Sequence, residues 1–343
     1  MRNEPVISKG PIMAEVPRTI VVSQDGGGDY RAIQPALDAA RPGDTVLVRA
    51  GTYTEDVRLR QGVTLCGEGH EQTRVVAAVG NALWAQDVAD VVVRDLSADG
   101  AGKSEHCAVW IASSSVTILG CVVSGAVHSG IEAKGSGQLV LRDSTIRGNQ
   151  QDGVLIYQEA GALLEHNTLA ENGLHGIEVK SRGRVTAREN TIRGNQQTGA
   201  FIYDEGEALL EHNILAENGL QGIQVRSRGR LTARENTIRG NQNAGAFIFE
   251  EGEALLEHNL LTDNGLHGVE VRERGQLTLT ANTLARNNPK GVWIKQESRA
   301  HLRHNIIASH TQEGIDATGN PGQTPAAEVV LEHNCLWENH PDY

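Results

Sequence analysis

Five residues of this chain have side chains that could transfer protons or stabilise charge. Asp152, His175, Glu178 and Lys180 follow one another closely, and Arg226 lies 46 residues after Lys180. A histidine can act as a general base with a carboxylate as its partner, and a lysine or arginine can stabilise the charge of a bound uronate. If the protein is an enzyme, we expect these five residues to be catalytic.

A second set of residues could bind an extended ligand, because rings and cations alternate in it. Its members are Tyr157, Phe201, Tyr203, Phe247, Phe249, Arg272, Trp293 and Lys295. One interpretation is a purely structural ladder, in which each exposed cation–ring contact contributes about 0.5 to 1 kcal/mol. The other is a flat strip that binds a glycan or a protein segment. The two are compatible, because a rigid ladder is a suitable platform for a ligand.

A repeat of 23 residues must position both sets. Glycines recur with this spacing at Gly130, Gly153, Gly176, Gly199, Gly222, Gly245, Gly268, Gly291 and Gly314. After each glycine, apolar and outward positions alternate, as in segment 176–180, which indicates a half-buried strand. Three short strands and three turns leave no room for a helix within 23 residues. The units must stack directly, which predicts a right-handed parallel β-helix, an all-β solenoid of about twelve coils.

Two series of asparagines follow these glycines at fixed distances. The first runs Asn167, Asn190, Asn213, Asn236, Asn259, Asn282 and Asn305, and the second runs Asn149, Asn172, Asn195, Asn218, Asn241, Asn264 and Asn287. Equivalent residues of parallel coils stack about 4.8 Å apart. Each amide can therefore bond to the next one in its column. We predict two asparagine ladders that are structural rather than catalytic.

A longer period of 46 residues overlies the short one. Segments 153–198 and 199–244 differ at 12 of 46 positions. Glu165 and Glu211 alternate with Arg188, so opposite charges should face each other across neighbouring strands.

The histidines of this longer period do not suggest a metal site. His166, His212 and His258 alternate with Glu189 and Glu235. They should lie two coils, or about 10 Å, apart, which is too far for a single ion. We expect ion pairs in this column, with no metal and no cofactor.

We divide the chain into five segments. They are an extension at 1–17, disordered or a leader; an N-terminal cap at 18–59 with strands at 19–23 and 45–48 and a helix at 33–40; irregular coils at 60–129; regular coils at 130–313; and a last coil at 314–343 with an insertion around 320–322. The helix should cover the first coil, because the open end of a solenoid otherwise exposes its edges.

Composition limits the compartment and the partners. The 31 basic and 43 acidic residues give a formal charge of −12, which disfavours nucleic acid because phosphate binding needs a basic face. Neither a membrane span nor a secretory signal is recognisable. We therefore expect a cytoplasmic protein without a membrane partner. The cysteines, Cys66, Cys107, Cys121 and Cys335, lack the spacing of a metal or redox motif and should be buried thiols.

The N-terminal segment resembles that of pectin methylesterases and of the wider pectin-lyase-like superfamily. The matching residues are the Asp-Tyr-Arg-Ala-Ile run at 29–33 with Ala36 and Leu37, and the Gly-Thr-Tyr-Thr-Glu run at 51–55. The asparagine repeats resemble NosD-like and CASH-type right-handed β-helices. This resemblance implies the fold. It also implies that a polysaccharide binds on the outer face of the sheet formed by the first strand of each repeat, the strand that follows the repeated glycine. It does not imply an activity, because the catalytic motifs of the methylesterases are missing.

The sequence favours a non-catalytic binding or scaffold module that presents its rings and charges to a glycan or a protein segment. The alternative is a carbohydrate-active enzyme, a lyase or epimerase acting on an acidic polysaccharide. A structural element of a larger assembly is a third possibility. Repetition of the strip favours binding, because an active site normally interrupts the repeat in which it lies.

Overall fold

The computed structural model describes residues 16–102, 106–295, 297–317 and 327–340. The predicted extension, apart from residues 16 and 17, and the insertion around 320–322 lie outside the described residues. Within these ranges the chain winds through about 13 turns of a right-handed parallel β-helix. Three parallel sheets form its walls. The predicted fold class is confirmed.

The strands of each sheet come from successive coils, and we name the sheets A, B and C. Sheet A contains β1 (Thr19–Val22), β2 (Thr45–Val48), β5 (Thr64–Gly67), β8 (Val91–Arg94), β11 (Ser115–Leu119), β14 (Gln138–Arg142), β17 (Gly161–Glu165), β20 (Arg184–Arg188), β23 (Glu207–Glu211), β26 (Arg230–Arg234), β29 (Glu253–Glu257), β32 (Gln276–Thr280), β35 (Arg299–Arg303) and β38 (Glu328–Glu332). Sheet B contains β3 (Gly51–Thr54), β6 (Thr73–Val76), β9 (Ser97–Asp99), β12 (Val122–Ser124), β15 (Thr145–Arg147), β18 (Thr168–Ala170), β21 (Thr191–Arg193), β24 (Ile214–Ala216), β27 (Thr237–Arg239), β30 (Leu260–Thr262), β33 (Thr283–Ala285), β36 (Ile306–Ala308) and β39 (Cys335–Trp337). Sheet C contains β4 (Val57–Arg58), β7 (Leu83–Gln86), β10 (Val109–Ala112), β13 (Ile131–Lys134), β16 (Val154–Tyr157), β19 (Ile177–Val179), β22 (Ala200–Ile202), β25 (Ile223–Val225), β28 (Ala246–Ile248), β31 (Val269–Val271), β34 (Val292–Ile294) and β37 (Ile315–Asp316).

Strands pair with their equivalents one repeat away, so the 23-residue period becomes a column of stacked side chains. In sheet C, Ile177 pairs with Ala200 and Glu178 with Phe201. The inward residues of the strands are mostly apolar and buried, and they form one continuous core. In the last coil, Leu331 and Leu336 are exposed. A residue's position in the repeat therefore determines whether it lies in the core or on an outer face.

The asparagine columns form the predicted ladders. Asn190 Nδ2 donates to Asn213 Oδ1 at 2.9 Å and to the Leu164 carbonyl at 2.8 Å. The Asn190 backbone N–H donates to the same Asn213 oxygen. At the end of the second column, Nδ1 of His310 accepts the Asn287 N–H at 3.1 Å. In each repeat, the buried polar groups of the turn are thus hydrogen-bonded by an asparagine side chain.

The repeated glycines are required by close backbone approach rather than by a special turn. A Cβ atom added to Gly199 would lie 2.6 Å from the carbonyl oxygen of Gly222. No side chain fits at that distance, because even a methyl group would overlap the next coil.

A short helix covers the first coil, as predicted. It is α1 (Ile33–Ala39), one residue shorter than expected, and it buries Ile33, Ala36 and Leu37. Its N-terminal residue offers no side-chain cap. Instead, the Glu55 carboxylate accepts the N–H groups of Ile33 and Gln34 at 2.8 and 3.0 Å. A carboxylate favours this position, because the N-terminal end of a helix is partially positive.

The predicted ion pairs form along sheet A. Arg188 Nε lies 2.8 Å from Glu211 Oε2, and another nitrogen of Arg188 lies 3.7 Å from Glu165. His166 Nδ1 lies 3.4 Å from Glu189 Oε2 in the turn that follows. The cysteine prediction holds for Cys66, Cys107 and Cys121 and is wrong for Cys335, which is exposed. No helix in the described part of the chain could span a membrane.

Candidate functional site

The outer surface of sheet C brings the residues singled out by the sequence together. It is formed by the second residue of each strand and the residue two positions later, and we call it the sheet C face. Along its central part the second positions are Leu155, Glu178, Phe201, Gln224, Phe247, Glu270 and Trp293. All eight predicted binding residues and Glu178, Lys180 and Arg226 belong to this face.

Cations pack against rings on neighbouring coils, as the ladder interpretation predicts. The guanidinium carbon of Arg226 lies 5.2 Å from the centroid of Phe201 and 5.4 Å from that of Tyr203. Arg272 lies 4.6 Å from the centroid of Phe247. The ladder therefore stabilises the face, whether or not it binds a ligand.

The rings also stack within a coil, which the sequence analysis did not anticipate. The Phe201 and Tyr203 centroids are 4.5 Å apart with an interplanar angle of 18°, and those of Phe247 and Phe249 are 4.2 Å apart with an angle of 8°. This packing buries Phe201, Phe247 and Phe249 although they lie on an outer face. The sheet C face is a close-packed layer rather than an open strip.

Charge is layered on this face. The side chain of Glu178 is 8% exposed and that of Glu270 is 10% exposed. The cations beside them are more accessible: Lys180 is 30% exposed, Arg226 36% and Arg272 38%. A ligand approaching the centre of the face would therefore meet cations before carboxylates, although Glu250 and Glu273 lie at the edge within 4 Å of the guanidinium nitrogens.

Several buried donors on the sheet C face lack hydrogen-bond partners. Among the described residues these include Nε of Arg226, Nε of Arg272 and Nε1 of Trp293. These three nitrogens are enclosed by the packed layer, and Nε of Arg272 lies 3.7 Å from Oε1 of Glu273, so a ligand at the surface would meet other atoms of these side chains.

The predicted catalytic residues meet at the middle of the face. Single side-chain atoms of Asp152, His175 and Glu178 lie within 4.8 Å of one another, and all three residues are buried. Glu178 Oε1 accepts from Lys180 Nζ at 2.8 Å and from the Tyr203 hydroxyl at 2.8 Å. We call these five residues the Asp152 cluster. Arg226 lies at its edge, packed on the ring of Tyr203.

Burial and charge shift the protonation of the Asp152 cluster. Burial, reinforced by the charge of Glu178, raises the pKa of Asp152 to about 7. Burial alone would also raise the pKa of Glu178, but the hydrogen bond and charge of Lys180 lower it. Near neutral pH, Glu178 is thus the ionised member and Asp152 is partly protonated.

His175 is held as a neutral hydrogen-bond donor. Burial lowers its pKa to about 4, and its Nδ1 accepts the Thr198 N–H at 3.2 Å. A neutral ring that accepts through Nδ1 carries its proton on Nε2. This geometry favours a donor role over the general-base role that the sequence suggested.

The cluster lies where the long repeat is interrupted. His267 and Glu270, four coils on, repeat His175 and Glu178, but Ala244 stands where the first copy has Asp152. The second copy therefore provides a natural control for the first. The repetition that favoured a binding module is thus incomplete at this point of the face.

Two tryptophans at the N-terminal end of the sheet C face were not among the predicted site residues. Trp84 and Trp110 are register partners at second positions, and Glu132 follows in the next strand. They line a cavity of about 300 Å³ together with Asn81, His106, Cys107 and His128. The second-position register, continued backward from Leu155, would have identified both tryptophans, but the coils there depart from the 23-residue spacing.

Two family descriptions match the chain. "Right handed beta helix region" matches residues 175–336, and "Periplasmic copper-binding protein (NosD)" matches residues 38–220. No curated protein matches the chain.

Solved structures share the fold at low sequence identity. The A-module of mannuronan C-5 epimerase AlgE6 from Azotobacter vinelandii is 20% identical with a TM-score of 0.72, and the match covers 88% of this chain and 94% of that one. The catalytic unit of a GH87 alpha-1,3-glucanase from Streptomyces thermodiastaticus is 17% identical with a TM-score of 0.70, over 95% and 70%. The periplasmic alginate epimerase AlgG is 18% identical with a TM-score of 0.60, over 85% and 76%. The fold is thus one that carbohydrate-active enzymes use.

The expected cytoplasmic location is contradicted. The family model that matches residues 38–220 describes a periplasmic protein. That description points to a periplasmic rather than a cytoplasmic location. The expectation relied on the lack of a recognisable export signal, which was insufficient evidence.

The residues present do not fit the copper of the family description. Within the described ranges, the one group of potential ligands is Asp152, His175 and Glu178, which offers a single imidazole. Copper sites favour several imidazoles or soft sulfur ligands. The Lys180 ammonium, 2.8 Å from Glu178, would also repel a cation. These three residues are therefore a poor site for a copper ion.

Proposed function

This chain belongs to the NosD family, and we propose that it binds an acidic polysaccharide along its sheet C face. The observation that supports this most strongly is the layering of charge, in which Lys180, Arg226 and Arg272 are more exposed than the carboxylates of Glu178 and Glu270. Carboxylates of a polyuronate could accept hydrogen bonds from these cations, and its sugar rings could pack on the aromatic layer.

The spacing of the cations suits a regular polymer. Lys180, Arg226 and Arg272 are separated by two coils each, which is about 10 Å at the usual strand separation. That distance is comparable to two sugar residues of an extended chain. A polyuronate along the helix axis would place alternate carboxylates against successive cations, whereas a peptide strand offers no such periodic charge.

The test is a comparison of two double variants with equal charge. Arg226→Gln/Arg272→Gln removes cations from the sheet C face, and Arg230→Gln/Arg234→Gln removes cations from sheet A. We expect wild type to bind polygalacturonate or alginate more tightly than neutral pullulan. The first variant should lose at least about tenfold in affinity and much of the salt dependence, and the second should lose less than about twofold. Equal losses in both variants, or no polyuronate binding by wild type, would overturn the proposal.

The Asp152 cluster favours a second candidate function, proton transfer at C5 of a bound uronate. Tyr203 donates its own proton to Glu178, so its phenol oxygen retains a lone pair. That oxygen could take the C5 proton while its own proton passes to Glu178, and Arg226 would stabilise the charge on the uronate carboxylate. A proton from water on the opposite side would invert C5. Alternatively, the electron pair at C5 would form a C4–C5 double bond as the glycosidic oxygen at C4 leaves and takes a proton from water, which cleaves the chain.

Isotope exchange tests this second candidate. The protein would be incubated with polygalacturonate or alginate in deuterated water, and deuterium at C5 would be measured by mass spectrometry after acid hydrolysis. Deuterium at C5 above a protein-free control supports proton removal followed by reprotonation. An unsaturated sugar keeps no hydrogen at C5, so elimination is detected instead as a chain fragment with a C4–C5 double bond in the same mass spectra. The absence of both products, together with polyuronate binding, would leave a binding protein.

A further inference from the structure

We propose that the cavity beside Trp84 and Trp110 is a subsite for one uncharged sugar ring. The indoles lie on adjacent strands of sheet C as register partners, and both are half-buried. The cavity volume of about 300 Å³ lies at the lower end of the range for small-ligand sites. We call this cavity the tryptophan cavity. Its place in a longer ligand rests on the proposed function, but its occupancy by a sugar does not.

The lining residues suit a ring with one apolar face and several hydroxyls. Indole rings pack against the C–H groups of a pyranose. His106, His128 and Glu132 line the same cavity and can donate to or accept from hydroxyl groups. Asn81 already donates its amide N–H to the Cys107 carbonyl at 2.7 Å, which leaves its amide oxygen as an acceptor.

The charges around the tryptophan cavity disfavour a cationic occupant. Arg58 lies 5.0 Å from the Trp84 centroid, and Lys134 lies 5.0 Å from the Trp110 centroid. These two cations occupy the positions that a cationic ligand would need in an aromatic cage. Glu132 lies in the cavity wall, and burial raises the pKa of its carboxyl, so it can exchange hydrogen bonds with a hydroxyl group. An uncharged ring with hydroxyl groups suits these side chains.

A metal ion is not the better occupant. Cys107, His106, His128 and Glu132 are potential ligands, but the group that converges within the described residues is Asp152, His175 and Glu178 instead. Cys107 is buried, and burial raises the pKa of its thiol well above the usual value. A thiol held protonated is a poor metal ligand.

The tryptophan cavity lies next to the Asp152 cluster. Cys107, Ser129 and Asp152 occupy one column on three successive coils, and Ser129 Oγ lies 3.3 Å from an Asp152 oxygen. Cys107 is therefore about 10 Å from Asp152 along the helix axis. A polymer that spans both places would carry a neutral sugar about two residues from the uronate at the cluster. This predicts a heteropolysaccharide rather than a pure polyuronate.

The experiment uses neutral tetrasaccharides of glucose, mannose, galactose, xylose and N-acetylglucosamine, with tetragalacturonate for comparison. Binding is measured by calorimetry and by tryptophan fluorescence. We expect at least one neutral tetrasaccharide to bind saturably, and Trp84→Ala or Trp110→Ala to weaken it by at least about tenfold. Trp337→Ala is the matched control, because Trp337 is exposed on sheet B, away from the sheet C face, and it should change affinity less than about twofold.

Trp110→Phe keeps a ring in place and guards against misfolding. Its melting temperature should stay close to that of wild type, with a smaller loss of affinity than Trp110→Ala. Failure of every neutral probe to bind would overturn the inference, as would equal sensitivity to Trp337→Ala. Neutral-sugar binding without polyuronate binding would overturn the proposed function and leave this inference standing.

Discussion

The hydroxyl of Tyr203 lies 2.8 Å from Oε1 of Glu178, the same oxygen that accepts from Lys180. This contact connects a residue at the surface of the sheet C face to a buried carboxylate. A proton could pass between a ligand on the rings and the interior of the Asp152 cluster through this contact.

The first prediction concerns Tyr203→Phe, which keeps the ring and its stacking on Phe201 but removes the hydroxyl. We expect deuterium exchange at C5 of a uronate to fall at least about 100-fold, because general acid–base groups contribute factors of this size. Affinity for the polymer should change less than about twofold. Tyr157→Phe, two coils away, should leave exchange unchanged. Exchange at the wild-type rate in Tyr203→Phe would exclude Tyr203 as the proton carrier.

The second prediction concerns the pH dependence of stability. Asp152 has a folded pKa of about 7, against about 3.8 when exposed, so the folded protein holds a proton that the unfolded chain releases between these values. Its contribution to stability is complete only below pH 3.8 and is lost progressively as the pH rises from there through 7. Asp152→Asn removes this loss while keeping an oxygen to accept the backbone N–H of His175.

We therefore expect Asp152→Asn to gain stability relative to wild type as the pH rises from 4 to 8. The gain should be on the order of 3 kcal/mol in the free energy of unfolding. Urea titrations at both pH values measure it. His175, whose pKa is lowered to about 4, has the opposite effect but is present in both proteins. A difference between the two proteins that does not vary with pH would contradict the raised pKa of Asp152.

The third prediction concerns the asparagine ladder. Asn241 donates from Nδ2 to Asn264 Oδ1 at 3.0 Å and to the Leu215 carbonyl at 3.2 Å, and it accepts from Asn218. Asn241→Ala leaves buried groups without partners and should lower the free energy of unfolding by about 3 kcal/mol. Gln242→Ala, at the exposed neighbour, should change it by less than about 0.5 kcal/mol. Similar losses in the two variants, measured by urea titration, would contradict a structural ladder.

The fourth prediction follows from the ligand set of the Asp152 cluster. With one imidazole and an adjacent ammonium group, the cluster should not bind copper. Titrations with Cu²⁺ at pH 7 should give the same result for wild type and His175→Ala. Copper binding that this substitution abolishes would show that the assessment of the cluster is wrong.

The sequence was sufficient to predict the fold because the repeat imposes it. The glycine at 199 is needed by a contact with the next coil, and such a contact recurs at every repeat. The asparagine columns and the alternation of Glu165 with Arg188 likewise follow from stacking at one spacing. Once the period is known, the neighbours of each residue are known.

The site was less predictable. The second-position register showed that His175, Glu178 and Lys180 share a face, but it could not show that Thr198 fixes the tautomer of His175. It also could not show that rings within one coil would stack and bury one another. Trp84 and Trp110 were missed because the irregular spacing of coils 60–129 hides their place in the register. These features depend on side-chain conformations, which the spacing of residues does not determine.

The most direct test of the central proposal is hydroxyl-radical footprinting of the protein with and without bound polygalacturonate or alginate, analysed by mass spectrometry. We predict protection of Tyr157, Tyr203 and Trp293 on the sheet C face. Trp337 in sheet B is exposed and should be modified equally in both samples, which provides an internal control. Protection confined to sheet A, for example at His301, or no protection in a sample shown to bind the polymer would contradict a polysaccharide site on the sheet C face.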